Sequence, residues 1–525
     1  MRPRATRPAP RTEGADVTAS RAPRDHDLPA PPGGDTTAAQ ERGALLRTGA
    51  NGVVWQGLAQ VVGKVVVLAT TVVLARLLVP EQFGLVALSL VLITYAEAFA
   101  DAGVAQSLIY LPRARATVRA ALASSVIAGV GLMALAMAAA PALAALFDRP
   151  EVTPLTRLLA VSLLGAALAS LPESLLRRDF QFRRITVATV VRVVVTGGVS
   201  IALAIAGAGA WALAAGTVAG SLVYAVVTWL LLPERPDLRI WRTTHHDLGQ
   251  VLAYGAPVAG TALLSKLIFN VDYLVIGWLL GATALGYYTL AFRIPELIVI
   301  NVFFVLSSVA FPMLSRLRGD SERMRSAYVF SVRLYSLYGV CAGVGLAILA
   351  PLVVPTVFGF QWDAAVGPLV PLALYAACRS IGVGANDVYK ALGRPGLAFT
   401  LSVLRLVVLV PSLIYGAHVG GVVGVAWAQV AASLALSVLM QARAAQVLGL
   451  RLTELGRAVV PALLAGGAVA LVGLPLTRLT LPAPATLVVV VVTGVAAASA
   501  VLALVQRPLL WELVRLTRRR AESTP

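Results

Sequence analysis

Apolar residues run along this chain in continuous stretches of about twenty, separated by short segments that are charged or rich in proline and glycine. A stretch of about 20 apolar residues lets an α-helix cross the hydrocarbon layer of a membrane. Within a stretch, apolar and polar residues do not alternate with a period of two, and this favours helices over the strands of a barrel. The pattern predicts an all-α integral membrane protein with about 14 transmembrane helices. The predicted spans are 50–75, 84–107, 118–146, 152–172, 185–206, 210–232, 249–271, 284–314, 327–357, 365–391, 397–416, 419–441, 457–476 and 482–505.

The arginines and lysines between these spans predict an orientation. Most of the 43 lie in the two tails and in every second loop, and the loops of the other side contain only Arg76, Arg149, Arg157 and Arg478. Cytoplasmic loops carry the excess of basic residues in membrane proteins. We therefore expect both termini in the cytoplasm and a location in the cell inner (plasma) membrane.

Composition excludes most soluble classes. The chain is 58% hydrophobic and 13% charged, whereas a soluble domain is about 25% charged. The net charge of +18 would suggest nucleic acid in a soluble protein, but here it lies in membrane-flanking loops, so no nucleic-acid partner is expected. Cys341 and Cys378 both lie in apolar spans and predict no disulfide framework or zinc site. Without a phosphate-binding Gly-x-x-x-x-Gly-Lys-Ser/Thr or a His-Glu-x-x-His motif, neither an enzyme nor a cofactor or metal is expected.

Two matches within the chain indicate a duplication. Residues 74–84 align with 276–286 at an offset of 202, and residues 190–195 align with 403–408 at an offset of 213. Helices 1–6 would then be repeated as helices 7–12 in the same orientation, and such parallel repeats are typical of transporters. The predicted units are a disordered cytoplasmic tail 1–48, an N-lobe 49–232, a C-lobe 233–446, the extra C-terminal helices 13 and 14 in 447–507, and a cytoplasmic tail 508–525.

When basic residues towards the span ends are counted with the adjoining loops, six remain inside the predicted spans, where charge is costly and usually functional. They are Lys64, Arg192, Lys266, Arg293, Arg379 and Arg405. The offset of 202 relates Lys64 to Lys266, and the offset of 213 relates Arg192 to Arg405. This two-fold placement predicts a cationic cavity between the lobes that binds a diphosphate or another acidic group. Gln56, Gln60 and Lys64 would form one polar stripe on helix 1, suited to a sugar.

A structural interpretation of the same cations is also open. Arg192 and Arg405 lie close enough to the cytoplasmic side to extend towards the lipid headgroups. The cations could equally pair with intramembrane acids and hold helices together. Those acids are Glu97, Asp101, Glu296 and Asp387.

The carboxylates have readings of their own. Glu97 and Asp101 lie one helical turn apart and could carry protons in a coupled cycle, or Asp101 could be a solvated residue where helix 2 ends. Asp272, near the outer end of helix 7, is expected to be a cap or loop residue.

Three segments resemble the polysaccharide transporter family of the multidrug, oligosaccharidyl-lipid and polysaccharide exporter superfamily. They are residues 74–88 with the following Asp101-Ala-Gly103, residues 272–288, and Phe311-Pro-Met-Leu-Ser-Arg-Leu317. The resemblance implies a V-shaped pair of six-helix bundles that work by alternating access. It implies an undecaprenyl-diphosphate-linked oligosaccharide as cargo, flipped from the cytoplasmic to the outer leaflet for polysaccharide or lipopolysaccharide assembly. Membrane lipids, glycosyltransferases and a polysaccharide polymerase would be its partners.

Other functions compete with this one. A multidrug or metabolite exporter coupled to H⁺ or Na⁺ needs a buried carboxylate, and Glu97 is the candidate. A peptidoglycan-precursor flippase of the same superfamily would use helices 13 and 14 as a lipid-binding groove. A non-transport scaffold explains neither the duplication nor the buried charge. The paired cations favour anionic cargo over cationic drugs.

Overall fold

The structure, a computed structural model, describes residues 62–110, 115–234, 239, 243–479 and 481–505. The chain divides into residues 1–51 and 52–525, and every described residue belongs to the second unit. The two predicted tails therefore lie outside the described ranges, and so do Gln56 and Gln60 of the predicted polar stripe. Within those ranges every regular element is a helix, as the uninterrupted apolar stretches predict.

We number the described helices α1 to α13. Helix α1 is described over residues 62–77. The others are α2 Pro80–Tyr110, α3 Arg115–Leu146, α4 Val152–Arg178, α5 Phe182–Ile205, α6 Ala210–Leu230, α7 His245–Pro295, α8 Asn301–Arg316, α9 Ser321–Val353, α10 Val366–Ala391, α11 Pro395–Leu448, α12 Leu452–Leu476 and α13 Ala483–Val505. A π-helical turn, Glu296–Ile300, joins α7 to α8. A second one, Val354–Phe358, and a 3₁₀ turn, Phe360–Ala365, join α9 to α10.

Two of the helical stretches are interrupted by glycine. Ten stretches of the described residues are long and apolar enough to cross a membrane, and two of these, Leu263–Arg316 and Gly396–Leu448, run for 54 and 53 residues. The first contains Gly281 at a φ of 84°, a conformation that glycine adopts without steric penalty. The second contains non-helical backbone at Gly420 and Gly421. The chain is a multi-pass membrane protein by this measure.

The interior is built from apolar faces on a few central helices. In the N-terminal half α4 packs against α2, α3 and α6, and Leu155, Leu159 and Leu163 of α4 are buried. In the C-terminal half α10 packs against α9 and α11. Between the halves, α2 lies along α7 in the most extensive contact of any two described helices. A site shared by the two halves would therefore lie along α2 and α7.

Two glycines bring α2 and α7 into backbone contact. A Cβ on Gly84 would overlap the carbonyl oxygen of Ala282, and a Cβ on Gly286 would overlap the carbonyl oxygen of Pro80. Pro80 and Ala282, like Gly84 and Gly286, are separated by the offset of 202 seen in the sequence. The two contacts are therefore reciprocal, as expected on a two-fold axis between repeats. Only glycine allows helices to approach this closely.

Side chains on either side of this crossing join the two halves further. Trp362 Nε1 donates to the carbonyl oxygen of Ala75 at 2.7 Å. Arg76 donates through Nη2 to the carbonyl oxygen of Thr356 at 2.7 Å and through Nε to that of Val357 at 3.0 Å. We call this end of the helices, residues 75–84, 280–287 and 355–362, the closed end.

The prediction for Asp272 is wrong. It is not a cap or loop residue but a buried one inside α7, with 1% of its surface exposed. Its carboxylate accepts from Tyr288 Oη at 2.7 Å and from Gln429 Nε2 at 3.1 Å. Because these partners replace water, the helix continues through the acid and past residue 271, where the hydropathy pattern ends the span.

Replacing Asp272 with alanine should destabilise the protein, because the change leaves Tyr288 Oη and the Gln429 amide buried without their acceptor. Each orphaned group costs about 1–3 kcal/mol. We expect a clear fall in the midpoint of thermal unfolding in detergent. The exposed Asp363 supplies the control, and Asp363→Ala should unfold at the wild-type temperature. Equal midpoints for the two variants would contradict a structural role for Asp272.

Candidate functional site

A cavity of about 500 Å³ lies between α2 and α7. Its two facing walls use equivalent positions of the repeat, related by the offset of 202. On one side are Leu90, Val91 and Thr94, and on the other are Phe292, Arg293 and Glu296. The cavity therefore lies on the same axis as the glycine crossing at the closed end.

The cavity is mostly apolar, with its charge on one wall. Where α2 presents Val91 and Thr94, the equivalent positions are Arg293 and Glu296. Arg293 Nη1 lies 3.1 Å from Glu296 Oε2 in a pair whose side chains are 39% and 31% exposed. Asn270 and Thr71 add an amide and a hydroxyl. An apolar chamber with a few convergent polar groups is typical of a ligand site.

A second ion pair borders the cavity and joins the two repeats. Lys266 Nζ of α7 lies 3.8 Å from Glu97 Oε2 of α2. Each residue is one helical turn from a residue of the cavity wall, since Asn270 follows Lys266 and Thr94 precedes Glu97. Asn270 Nδ2 also donates to the Lys266 carbonyl oxygen at 2.8 Å. The structure thus brings Lys266 and Glu97 together at the rim of the chamber.

Lys64 approaches the same chamber from α1. It precedes the cavity residue Thr71 by seven positions, about two helical turns, and so lies on the same face of α1. Lys64 interacts electrostatically with both Glu296 and Arg293. Its side chain is partly buried, and no carboxylate of the described residues forms an ion pair with it.

Arg379 and Arg405 meet behind the cavity wall. Arg379 Nη1 and Arg405 Nη2 donate to the same oxygen, Tyr375 Oη, at 2.9 and 3.2 Å. The Arg379 guanidinium also stacks on Phe269, 4.5 Å from the ring centroid, and Phe269 lines the cavity. These two arginines therefore add positive charge one layer outside the chamber.

Of the remaining candidates, Arg192 and Asp387 do not line the cavity. Arg192 is exposed, and its guanidinium lies 5.5 Å from the centroid of the Tyr224 ring, so it pairs α5 with α6 instead. Asp101 belongs to α2, but its side chain lies outside the described set. Asp387 accepts from Ser307 Oγ at 2.6 Å and from Tyr335 Oη at 3.0 Å. Among the described residues no group of three or more His, Cys, Asp or Glu side chains could hold a metal ion.

Some residues of the site are neutral, so the pattern of charged residues inside the predicted spans does not indicate them. They include Asn270, Phe269 and Tyr375. A usable signal exists in the helical spacing: Asn270 is four residues after Lys266, and Tyr375 is four residues before Arg379. Residues four apart lie on one helix face, so a polar or aromatic residue one turn from a buried cation is a candidate partner.

Comparison with known proteins assigns this chain to a family. A model of the polysaccharide biosynthesis protein family matches residues 73–367, which is more than half of the chain. The lipopolysaccharide biosynthesis protein WzxC of Escherichia coli (strain K12) is 25% identical over 388 residues, which cover 71% of this chain and 76% of WzxC. The succinoglycan biosynthesis transport protein ExoT of Rhizobium meliloti (strain 1021) is 26% identical over 365 residues, 67% of this chain and 71% of ExoT.

Among solved structures, the lipid II flippase MurJ in an inward closed conformation has a similar fold. The TM-score is 0.72 at 13% identity, covering 87% of this chain and all of MurJ. With the family match covering α2 and most of the cavity wall, this chain is a multi-pass membrane protein that belongs to the polysaccharide biosynthesis protein family.

Proposed function

We propose that this protein is a flippase that moves a lipid-linked oligosaccharide, with its anionic diphosphate, from the cytoplasmic to the outer leaflet. One arrangement carries the proposal: Arg293 lines a largely apolar chamber, Lys266 lies in an ion pair at its rim, and Lys64 lies two helical turns from the lining residue Thr71. Cations in such a chamber attract an anion more strongly than in water. WzxC and ExoT, named for lipopolysaccharide biosynthesis and for succinoglycan transport, support a glycan cargo.

The topology that fits this function has 14 transmembrane helices. Leu263–Arg316 and Gly396–Leu448 would each span about 80 Å as a straight helix, against a hydrocarbon layer of about 30 Å. Each stretch therefore crosses twice, turning at Gly281 and at Gly420 and Gly421. Adding α1 and α2 to the other spans completes the set. The protein then lies in the cell inner membrane with both termini in the cytoplasm, as the basic loops predict.

The cycle that we propose is alternating access of two six-helix lobes, 49–232 and 233–446, around the chamber. The closed end is the outer side in this topology, so the head group enters from the cytoplasm. Its oligosaccharide and diphosphate occupy the chamber while the polyprenyl chain stays in the lipid. Opening of the closed end releases the head group to the outer leaflet, where a polysaccharide polymerase would take it. Glycosyltransferases on the cytoplasmic side would supply it.

Two carboxylates are our candidates for coupling to an energy source, and two glutamines are our candidates for the sugar contact. Glu97, partly exposed beside the chamber, and Asp101 one turn further along α2 are the possible coupling carboxylates. Gln56 and Gln60 precede Lys64 by eight and four residues in the sequence, the spacing of one polar stripe. Arg379 and Arg405, one layer outside the chamber, act as a further source of positive potential.

A drug or metabolite exporter coupled to a cation is the second candidate, and one observation favours it. Glu97 is a carboxylate in the middle of a membrane helix, as such exporters require. Its partner Lys266 argues against a cationic drug, because the pair leaves no unbalanced negative charge at that point. The lipid II flippase MurJ keeps a peptidoglycan precursor as a third possible cargo, for which α12 and α13 would hold the lipid.

Transport in proteoliposomes tests the proposal. We expect the purified protein to speed the transbilayer movement of a fluorescent polyprenyl-diphosphate oligosaccharide at least about tenfold over empty vesicles, because the chamber replaces the hydration of the head group. Quenching of the outer-leaflet dye measures the movement. Ethidium uptake in the same vesicles serves as the comparison. Movement of ethidium but not of the glycan lipid would replace the flippase with the exporter.

A further inference from the structure

Each of the two glutamates at the chamber is paired with a cation. Glu97 lies at 3.8 Å from Lys266, and Glu296 lies at 3.1 Å from Arg293. A cation away from bulk water is costly unless an anion or hydrogen bonds compensate it. When the chamber is empty, these glutamates are the anions that compensate Lys266 and Arg293.

Two features of these ion pairs favour exchange of the glutamate for another anion. At 3.8 Å, Lys266 and Glu97 are too far apart for a hydrogen bond, and between 31% and 39% of each of the four side chains is exposed. Pairs with that exposure are weak. Asp272 shows the opposite design, since it is 1% exposed and fixed by Tyr288 and Gln429. The chamber glutamates are not held in this way.

We propose that Glu97 and Glu296 are internal counter-anions, which occupy on Lys266 and Arg293 the places that the diphosphate of the cargo takes when it binds. The inference rests on the proposed function, because it assumes an anionic head group. Binding is then the exchange of one anion for another, and the displaced glutamates turn towards water in the chamber. The same glutamates compete for the cations again and promote release of the cargo on the outer side.

The counter-anion role and a purely structural role predict opposite changes in diphosphate affinity when a glutamate is neutralised. If the glutamates compete with the cargo, neutralising either one frees a cation and tightens the binding of a diphosphate. The tighter complex releases its cargo more slowly, so transport falls while affinity rises. If the glutamates only hold helices together, their removal weakens binding and transport alike.

The experiment measures binding of geranylgeranyl diphosphate and of geranylgeraniol to the full chain in nanodiscs. We expect Glu97→Gln and Glu296→Gln each to bind the diphosphate roughly two- to fivefold more tightly than wild type, as the loss of a weak competing pair implies. Affinity for the alcohol should stay unchanged. The matched control is Glu173→Gln, since Glu173 is paired with Arg177 within helix α4 and lies outside both the cavity wall and the closed end.

The outcomes separate the two proposals. If wild type prefers the diphosphate but both variants bind it no more tightly, with unchanged thermal unfolding, the counter-anion role is overturned and the proposed function stands. If wild type binds the diphosphate and the alcohol equally, the proposed anionic cargo fails as well. Should one variant misfold, the other still decides, because the two glutamates lie in different helical segments and pair with different cations.

Discussion

Replacing Gly84 with alanine is expected to lower transport by about fivefold or more and to hold the closed end apart. The added Cβ would overlap the carbonyl oxygen of Ala282, which is backbone and cannot rotate away. Forcing an extra methyl group into a close-packed contact costs about 1–3 kcal/mol, and sometimes more. A shift of that size in a two-state equilibrium changes the population ratio by roughly fivefold to more than a hundredfold.

Both a rate and a distance should report this change. Spin labels on Val79 and Phe360, two exposed positions of the closed end, with Cys341 and Cys378 replaced by serine, give the separation of the two lobes. We expect Gly84→Ala to move the distance distribution towards longer values. Gly286→Ala should do the same, because it makes the reciprocal overlap with Pro80.

The chain offers a control for the glycine change itself. Gly131 lies inside helix α3, and a Cβ there would meet nothing within 4 Å. Gly131→Ala should therefore transport at the wild-type rate with an unchanged label distance. Normal transport and a wild-type distance in Gly84→Ala would refute the idea that this crossing controls the closed end.

How far the sequence predicts this fold depends on the range of the interactions involved. The apolar stretches predict the helices because every backbone group in a membrane must bond within its own helix. The end of the predicted span 249–271 is less predictable. Asp272 reads as a helix end, yet Tyr288 and Gln429, the second of them far along the chain, satisfy it inside the helix. A single sequence carries no record of such partners.

The candidate site shows the same division. The offset of 202 predicts that Lys64 and Lys266 are equivalent, and both approach the chamber in the structure. The offset also relates the two cavity walls and the two glycines of the closed end. The repeat in the sequence is therefore enough to predict that these positions are equivalent. Arg192 and Arg405, by contrast, have different neighbours despite their offset of 213: Tyr224 for one and Tyr375 for the other. Equivalent positions in a repeat need not keep equivalent roles, since their neighbours diverge independently.

Removing both lysines is expected to abolish most transport of the glycan lipid. A hydrogen bond to a charged group contributes about 1.5–3 kcal/mol, so losing Lys64 and Lys266 should weaken diphosphate binding by at least about a hundredfold. The Lys64→Ala, Lys266→Ala double variant should also leave Glu97 beside the chamber without its cation, which adds repulsion for an anion. The proteoliposome assay measures the loss of transport directly.

Three further variants show whether charge is the cause. The third lysine, Lys390, is exposed at the end of α10, so Lys390→Ala should transport normally. Arginine at positions 64 and 266 keeps the charge, and we expect it to recover a large part of the rate. Adding Glu97→Gln to Lys266→Ala removes the unpaired carboxylate and should raise diphosphate affinity above that of Lys266→Ala alone. A double alanine variant that folds and still transports at the wild-type rate would rule out Lys64 and Lys266 as groups that bind the diphosphate, because Arg293, the cation that lines the cavity among the described residues, would then suffice.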